Sequence, residues 1–379
     1  MTLISQSDTD LLLAEVSMPC LTIIAPTFRL APERARNKKN IERLIADAKS
    51  LLTRKHSRLS EACGKIVNKL DDLLETIDFN HLKDGIGIYI SPKVSKVILF
   101  PFLVKEKIKV DNTFDSRELL YAKDHLIDYL VLSISQKNIR LFEANYEALE
   151  EVNDVDFPIE YHENHEYTHS VRGTSFGLSA AKDFENDASV VKQIRVNKIL
   201  HSVNHKLEKY FKSNIPIVIS GGKKELNDFL GITHYKRLII GEVKGNFDFK
   251  EHTKLAKNAW ESVQAYQNIE SNNLLNELVE LEGRDLLVWG IENVYNAANE
   301  GKGLELVLER DLESHGYLSS NGSDLKKYKP FGQKKYVFIN DAIELIIRTT
   351  MDKGGKVTLT NSDTMKKKFD GIALKLRYP

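Results

Sequence analysis

Short apolar runs of strand character alternate with long amphipathic runs of helical character along the whole chain. That alternation restricts it to α/β architectures. The first apolar run, "CLTIIAPTF", is stopped by Pro26, which lacks the backbone donor that a ladder needs. It is followed by "NKKNIERLIADAKSLLTRK", where Ile41, Leu44, Ile45, Ala48, Leu51 and Leu52 recur at helical spacing. A second amphipathic run, "LSEACGKIVNKLDDLLETI", leads to two further strands, "DGIGIYISP" and "KVILFPF". These elements predict a compact α/β domain over residues 1–112, closed by the polar link "KVDNTFDSRELL".

The pattern repeats over residues 113–248. "YLVLSIS" and "IRLFEA" flank the polar turn Gln136, Lys137 and Asn138 and predict a hairpin, to which "YEALEEV" adds a third strand. A polar stretch over residues 154–187 precedes a helix expected from about residue 188 to 211, with Ile194, Ile199, Val203 and Leu207 toward the core. Pro216, the apolar "IVIS", a Gly221-Gly222 turn and the helical "KKELNDFL" complete a five-stranded mixed sheet flanked by helices. Residues 249–379 form the third block. It contains a long helical run, "DLLVWGIENVYNAANEG", the strand "LELVLER", a lysine-rich polar insertion over residues 319–335, the helix "NDAIELIIRTTMDKGG" and a closing strand pair, "KVTLT" and "GIALKLRY". The fold class expected is α/β, with three consecutive α/β domains.

A chain of 379 residues has room for that many domains. Its 54 basic and 54 acidic side chains cancel, so a nucleic-acid surface must be a local patch. Cys20 and Cys63 have no metal-ligand spacing, which argues against a disulfide framework or a cysteine zinc site and for a reducing cytoplasm. Asp8, Asp10 and Glu15 interrupt the start where a secretory signal would be apolar. No apolar run approaches the roughly 18–20 residues of a membrane span, so a cytoplasmic protein is expected.

Candidate chemistry is sparse. His162, His165 and His169 lie among carboxylates in "YHENHEYTH", but Pro158 and the surrounding polarity favour a solvated loop over a zinc site. A two-metal nuclease needs clustered carboxylates. "YLVLSIS" offers Ser133 and Ser135 instead, and Glu143 stands alone. Lys223 and Lys224 after the glycine pair lack full phosphate-loop spacing. No catalytic constellation, metal site or cofactor motif is expected, and the reading is non-enzymatic. The basic groups carry more. Arg29, Arg34, Arg36, Lys38 and Lys39 form one, and Lys326, Lys327, Lys329, Lys334 and Lys335 form another, interleaved with the stacking faces of Tyr328 and Phe331. A third comprises Lys366, Lys367 and Lys368. The first two are candidate RNA-binding surfaces.

The final segment, "AIELIIRTTMDKGGKVTLTNSDTMKKKFDGIALKLRYP", resembles the end of the archaeal and eukaryotic class I peptide chain release factor and of its relative Pelota. The matching positions are Gly354, Gly355, Val357, Gly371, Ile372, Ala373, Leu376, Arg377 and Tyr378. "LTIIAPTFRLAPERARNKKNIERLIADAKSLL" resembles the opening of the bacterial proteins related to this factor, and "YLVLSISQKNIRLFEA" is similar to their second-domain hairpin. The resemblance covers essentially the whole chain. It implies a ribonuclease-H-like middle domain, a C-terminal α/β sandwich like the kink-turn-binding ribosomal proteins, and the ribosome and its RNA as partner, with a translational GTPase as a further one. No membrane and no DNA partner is implied.

In release factors the middle domain carries a Gly-Gly-Gln loop, whose glutamine positions water on the peptidyl-tRNA ester. Here Phe176, Gly177 and Leu178 occupy that tripeptide within "VRGTSFGLSAAKDFEND". Leu178 has no side-chain donor or acceptor and cannot orient water. The resemblance therefore implies a ribosome-contact loop, comprising Arg172, Gly173, Phe176, Gly177, Leu178 and Ser179, that does not release peptide. It points to a Pelota-like factor of stalling, rescue or hibernation at the ribosomal A site. A hydrolase of tRNA esters or RNA and a stress-system interaction module are the rival readings.

Overall fold

The computed structural model describes residues 2–3, 6–55, 60–135, 137–160, 194, 196–247, 251–331 and 336–379. They form two compact units. One combines Met1–His125 with Ser271–Pro379, and the other is Leu126–Glu270.

The N-terminal part of the first unit has strands β1 (Thr2–Leu3), β2 (Val16–Pro26), β3 (Gly85–Ile90), β4 (Ser95–Phe100) and β5 (Lys107–Thr113), in the sheet order β1-β4-β3-β2-β5. Its helices are α1 (Gln6–Ala14), α2 (Asn37–Lys55), α3 (Ser60–Thr76) and α4 (Arg117–His125). Five of the six apolar positions that predict α2 are buried: Ile41, Leu44, Ile45, Ala48 and Leu52. They pack with Cys63, Ile66 and Leu70 of α3 against Leu21, Ile23, Ile86 and Ile88 of the sheet. Each such aliphatic side chain contributes roughly 1.5–3 kcal/mol, and this stripe fixes both helices on the sheet.

The segment expected to be a polar link is part of the fold. Lys107–Thr113 is the edge strand β5, antiparallel to β2, and Asp115, Ser116, Arg117 and Glu118 are buried. Asp115 is met by nearby cations, whereas Arg117 and Ser116 also reach groups 195–228 positions away. The Arg117 guanidinium reaches Asp115 at 3.0 Å, Asp341 at 2.5 Å and the Leu312 carbonyl at 2.8 Å. The Ser116 hydroxyl donates to Glu344 at 2.9 Å. Glu344 also receives Arg348, which in turn donates to the Phe114 carbonyl. Burial alone would raise the Asp115 carboxyl, but the charges of Arg117, Lys107 and Lys109 hold it well below the usual range. The terminal stretches of the chain are thus joined through a desolvated ion network.

The second unit contains β6 (Asp128–Ile134), β7 (Asn138–Asn145), β8 (Ala148–Glu151), β9 (Ile159–Glu160), β10 (Ile217–Gly221) and β11 (Ile239–Lys244). The sheet order is β11-β10-β6-β7-β8, with the short β9 added on β7. β6, β10 and β11 run parallel, and β7 is antiparallel to β6 and β8. By chain order within the five-strand path this is 3-2-1-4-5, the ribonuclease-H-like arrangement. Helix α5, over residues 196–207, and α6 (Lys223–Ile232) cover one face through Leu200, Val203, Leu207, Leu226 and Phe229. The first half of α7 (His252–Glu282) covers the other through Leu255, Ala259, Trp260 and Val263. Covered on both faces, β6 is buried from Tyr129 to Ile134, as a central strand must be.

Back in the first unit, β12 (Leu287–Trp289), α8 (Ile291–Asn299) and β13 (Gly303–Glu309) precede a small sheet of β14 (Gly316–Ser319), β15 (Leu325–Lys326) and β16 (Tyr336–Ile339). α9 (Ala342–Asp352), β17 (Lys356–Thr360), α10 (Asp363–Phe369) and β18 (Ile372–Leu376) follow. The main sheet order is β12-β18-β13-β17. The two closing strands expected to pair with each other are therefore separated by β13, which is parallel to β17 and antiparallel to β18. The intervening α10 makes that crossover possible. Leu275 and Leu278 of α7, with Met365 and Phe369 of α10, pack on Leu287, Val307 and Ala373. α8 packs on β18, and α9 on β13. The insertion expected to be polar, residues 319–335, runs from the end of β14 to the start of β16 and contributes β15 to the small sheet.

Candidate nucleic-acid interface

Beyond Pro26 the chain leaves β2 but is not released. Thr27 donates its backbone N–H to the Asp84 carbonyl at 3.0 Å and its hydroxyl to the Lys83 carbonyl at 2.8 Å. The next residue is clamped from both sides by one amide. Asn37 Oδ1 accepts the Phe28 N–H at 3.0 Å, and Asn37 Nδ2 donates to the Phe28 carbonyl at 2.8 Å. Asn37 is the first residue of α2 and is 1% exposed, so the core helix holds the loop directly. Arg29 forms an ion pair with Asp84 and acts as a further anchor.

That anchoring turns other residues outward. Phe28 and Leu30 are exposed, at 47% and 78%. Arg34 and Arg36 stand exposed on a short 3-10 turn, with Lys38 and Lys39 exposed at the start of α2. Lys38 lies 3.9 Å from Glu42, an exposed pair of small energetic consequence. The structure therefore brings Arg34, Arg36, Lys38 and Lys39 onto one short segment and gives Arg29 a different, positioning role. Phe28, Leu30 and Asn37 escape a search for charge. Two apolar residues placed immediately after a strand-ending proline are their only sequence signal.

The second basic group also divides. Lys326 is half-buried and lies 3.2 Å from Glu292 and 3.4 Å from Asp324. The Glu292 bond, ahead of the opposing cost of burial, raises its pKa. Lys327 and Lys329 are exposed, beside Tyr328 at 74% and Phe331 at 105% exposure. Lys334 and Lys335 lie outside the described residues. Lys366 is paired with Glu309 and Lys368 with Glu282, which leaves Lys367 exposed between them. The loop residues Arg172, Gly173, Phe176, Gly177, Leu178 and Ser179 lie outside the described residues, as do His162, His165 and His169.

Lys223 and Lys224 open α6 and are exposed. A Cβ built on Gly222, the N-cap, would lie 2.3 Å from a Glu225 carboxylate oxygen. The protein's own carboxylate thus occupies the space over that helix start, which disfavours a phosphate there. On the α7 face of the second sheet, Ser220, Ser133 and Arg140 stand in one row by strand register. Arg140 is 6% exposed and bonds to the Phe247 carbonyl at 2.9 Å and to His252 Nε2 at 3.0 Å. Burial, then the Arg140 charge, lowers the His252 pKa. A buried guanidinium at this position repels cations. Among the described residues no group of three His, Cys, Asp or Glu side chains is placed to hold a metal ion.

Residues 128–302 match the family model "Bacterial archaeo-eukaryotic release factor family 3". Comparison with curated proteins found no match. Among solved structures, an archaeal translation termination factor is 14% identical, with 99% of each chain covered and a TM-score of 0.25. The Pelota of Archaeoglobus fulgidus is 14% identical over 78% of this chain and 84% of its own, with a TM-score of 0.38. The C-terminal domain of a peptide chain release factor from Methanosarcina mazei is 18% identical over 35% of this chain and 98% of its own, with a TM-score of 0.28.

Proposed function

We propose that the chain, whose residues 128–302 match the bacterial relatives of the archaeal and eukaryotic release factor, is a cytoplasmic, ribosome-associated factor of that release-factor and Pelota-like kind. It binds RNA at the A site in stalling, rescue or hibernation, under stress conditions, and does not release peptide. The observation that carries the RNA contact is the segment from Phe28 to Lys39, held by the Asn37 amide with an aromatic ring and four cationic side chains turned to solvent. A preformed loop of this composition binds a polyanion with little ordering cost. Leu178 at the position of the release-factor glutamine supports a contact role over a hydrolytic one, since it can neither orient water nor stabilise an oxyanion.

Three modules belong to the same proposal: residues 1–112 toward the decoding centre, 113–248 carrying the loop toward the large subunit, and 249–379 toward a translational GTPase or ribosomal protein. The test is a sucrose-gradient profile of tagged protein from growing and starved cells. Co-migration with 70S particles or subunits, reversed by raised salt, is expected. Migration only at the top of the gradient in both states would overturn the proposal, as would robust peptidyl-tRNA hydrolysis by the wild-type chain.

A further inference from the structure

The small β14–β16 sheet meets the core on one side around Leu325 and Gly316, while Val337 at the edge of that side is 58% exposed. Leu325 is fully buried, and a Cβ on Gly316 would lie 2.9 Å from Leu325 and 3.1 Å from Ala342. Strand alternation sends Tyr317, Tyr336 and Phe338 to the opposite side. Tyr317 faces Phe338 across the ladder, with ring centroids 5.4 Å apart and planes at 63°. His315 adds a ring 5.8 Å from Phe338. The Tyr336 hydroxyl donates to Asp324 at 2.8 Å, which fixes that ring's far end. Phe338 is 50% exposed. Rings gathered on the solvent side of a sheet give up the burial that would make them useful to folding.

Charge identifies the occupant. Lys326, on the same side opposite Tyr317, is neutralised by Glu292 and Asp324. Lys327 and Lys329 beside the sheet are exposed, and no ion pair joins either to an acid among the described residues. Protein-binding patches are depleted in lysine. Rings interleaved with un-neutralised lysines are the composition of a single-stranded nucleic-acid surface. We propose that the outward face of β14–β16 is a stacking platform for unpaired RNA bases, with Lys327 and Lys329 on the adjoining phosphates. The proposal deepens the ribosome reading and rests on it for the source of the RNA.

The experiment uses the full chain and a fluorescent oligouridine of about twelve nucleotides, within the ~4–16 typical of such surfaces, beside an RNA duplex of the same length. Anisotropy titrations are run on wild type, Phe338→Ala, Phe338→Tyr and Lys327→Ala/Lys329→Ala, with ribosome co-sedimentation in parallel. Wild type is expected to prefer the single strand. Phe338→Ala should weaken that binding by about 10-fold or more with an unchanged salt slope, and Phe338→Tyr should restore it. Lys327→Ala/Lys329→Ala should reduce the log–log salt slope by about 1.4. Equal binding of duplex and single strand would overturn the platform, as would indifference to Phe338→Ala. Loss of ribosome co-sedimentation in Phe338→Ala, without any oligouridine binding by wild type, would assign the face to a protein partner and also overturn it. Oligouridine binding that depends on Phe338, in a chain that never co-sediments with ribosomes, would uphold the platform and sink the ribosome reading alone.

Discussion

Replacing Arg117 by alanine isolates the energy that joins the two terminal stretches of the first unit. The guanidinium side chain is 3% exposed and bonds to Asp115, Asp341 and the Leu312 carbonyl. Without it the fully buried Asp115 keeps Lys107 at 3.2 Å, Lys109 at 3.9 Å and the backbone N–H of residue 117 at 3.4 Å. Removing one partner of a buried ion pair costs ~3–5 kcal/mol, because the other charge stays desolvated. The two lysines offset part of that, so a loss of about 3 kcal/mol is expected. For a unit of this size each kcal/mol moves Tm by roughly 2–4 °C, which places the fall at about 6–12 °C. Scanning calorimetry should show it in the transition of Met1–His125 with Ser271–Pro379, and not in that of Leu126–Glu270. Arg117→Lys keeps the charge but loses the fork and should fall between. Salt at about 1 M should leave the difference in place, since the pair is shielded from mobile ions. A change under ~0.5 kcal/mol, or one that salt abolishes, would refute the assignment of a buried, energetically coupled network.

Four other outcomes are expected. Burial first, then the Glu305 charge against that of Lys356, pushes the Asp124 carboxyl up to about 6 from 3.8. Its contribution to stability is therefore complete below about pH 4 and is lost as pH rises through 6. Asp124→Asn should gain about 1–2 kcal/mol at pH 8 and nothing at pH 4, and equal effects in urea melts at both pH values would disprove it. A Cβ at Gly221 would lie 2.6 Å from the Ile134 carbonyl oxygen, so Gly221→Ala should cost ~1–3 kcal/mol, read as a lowered transition of the second unit only. Arg34→Glu/Arg36→Glu should weaken RNA or ribosome association and reduce the salt slope without moving Tm. An unchanged salt titration would count against the interface. Phe176→Gly/Leu178→Gln, assayed on stalled ribosomes, tests whether the tripeptide position is what withholds release. Activity appearing in Leu178→Gln alone would show that Phe176 does not obstruct backbone approach.

Helices α2 and α3 could be placed from the chain alone, because helical periodicity is written within one element. Ile41, Leu44, Ile45, Ala48 and Leu52 face the core wherever the sheet lies. The β6–β7 hairpin was equally legible, since Lys137 sits in the turn between the strands and Asn138 opens the second of them. β5 was not. Ile108 and Val110 alternate with Lys107, Lys109 and Asp111, but two apolar positions leading into the polar Asp111–Thr113 are too short a signal, and pairing with β2 makes the segment a strand. The order β12-β18-β13-β17 was beyond reach for a related reason: two strands near in sequence become neighbours only if nothing else fits between them, and β13 does.

The basic clusters mark the same boundary. Composition and spacing determined that positive charge is concentrated near residues 29–39 and 326–335, because clustering is a property of the chain. Which of those charges is available was decided by folding. Asp84 arrives from 55 positions away to hold Arg29, and Glu292 from 34 positions away to hold Lys326. Asn37 holds the backbone of Phe28, while strand register brings Tyr317 and Phe338 together on an outward face. An ion pair, an amide clamp and a ring cluster each depend on distance in space. Side chains separated by tens of residues acquire that distance only when the sheets between them have formed.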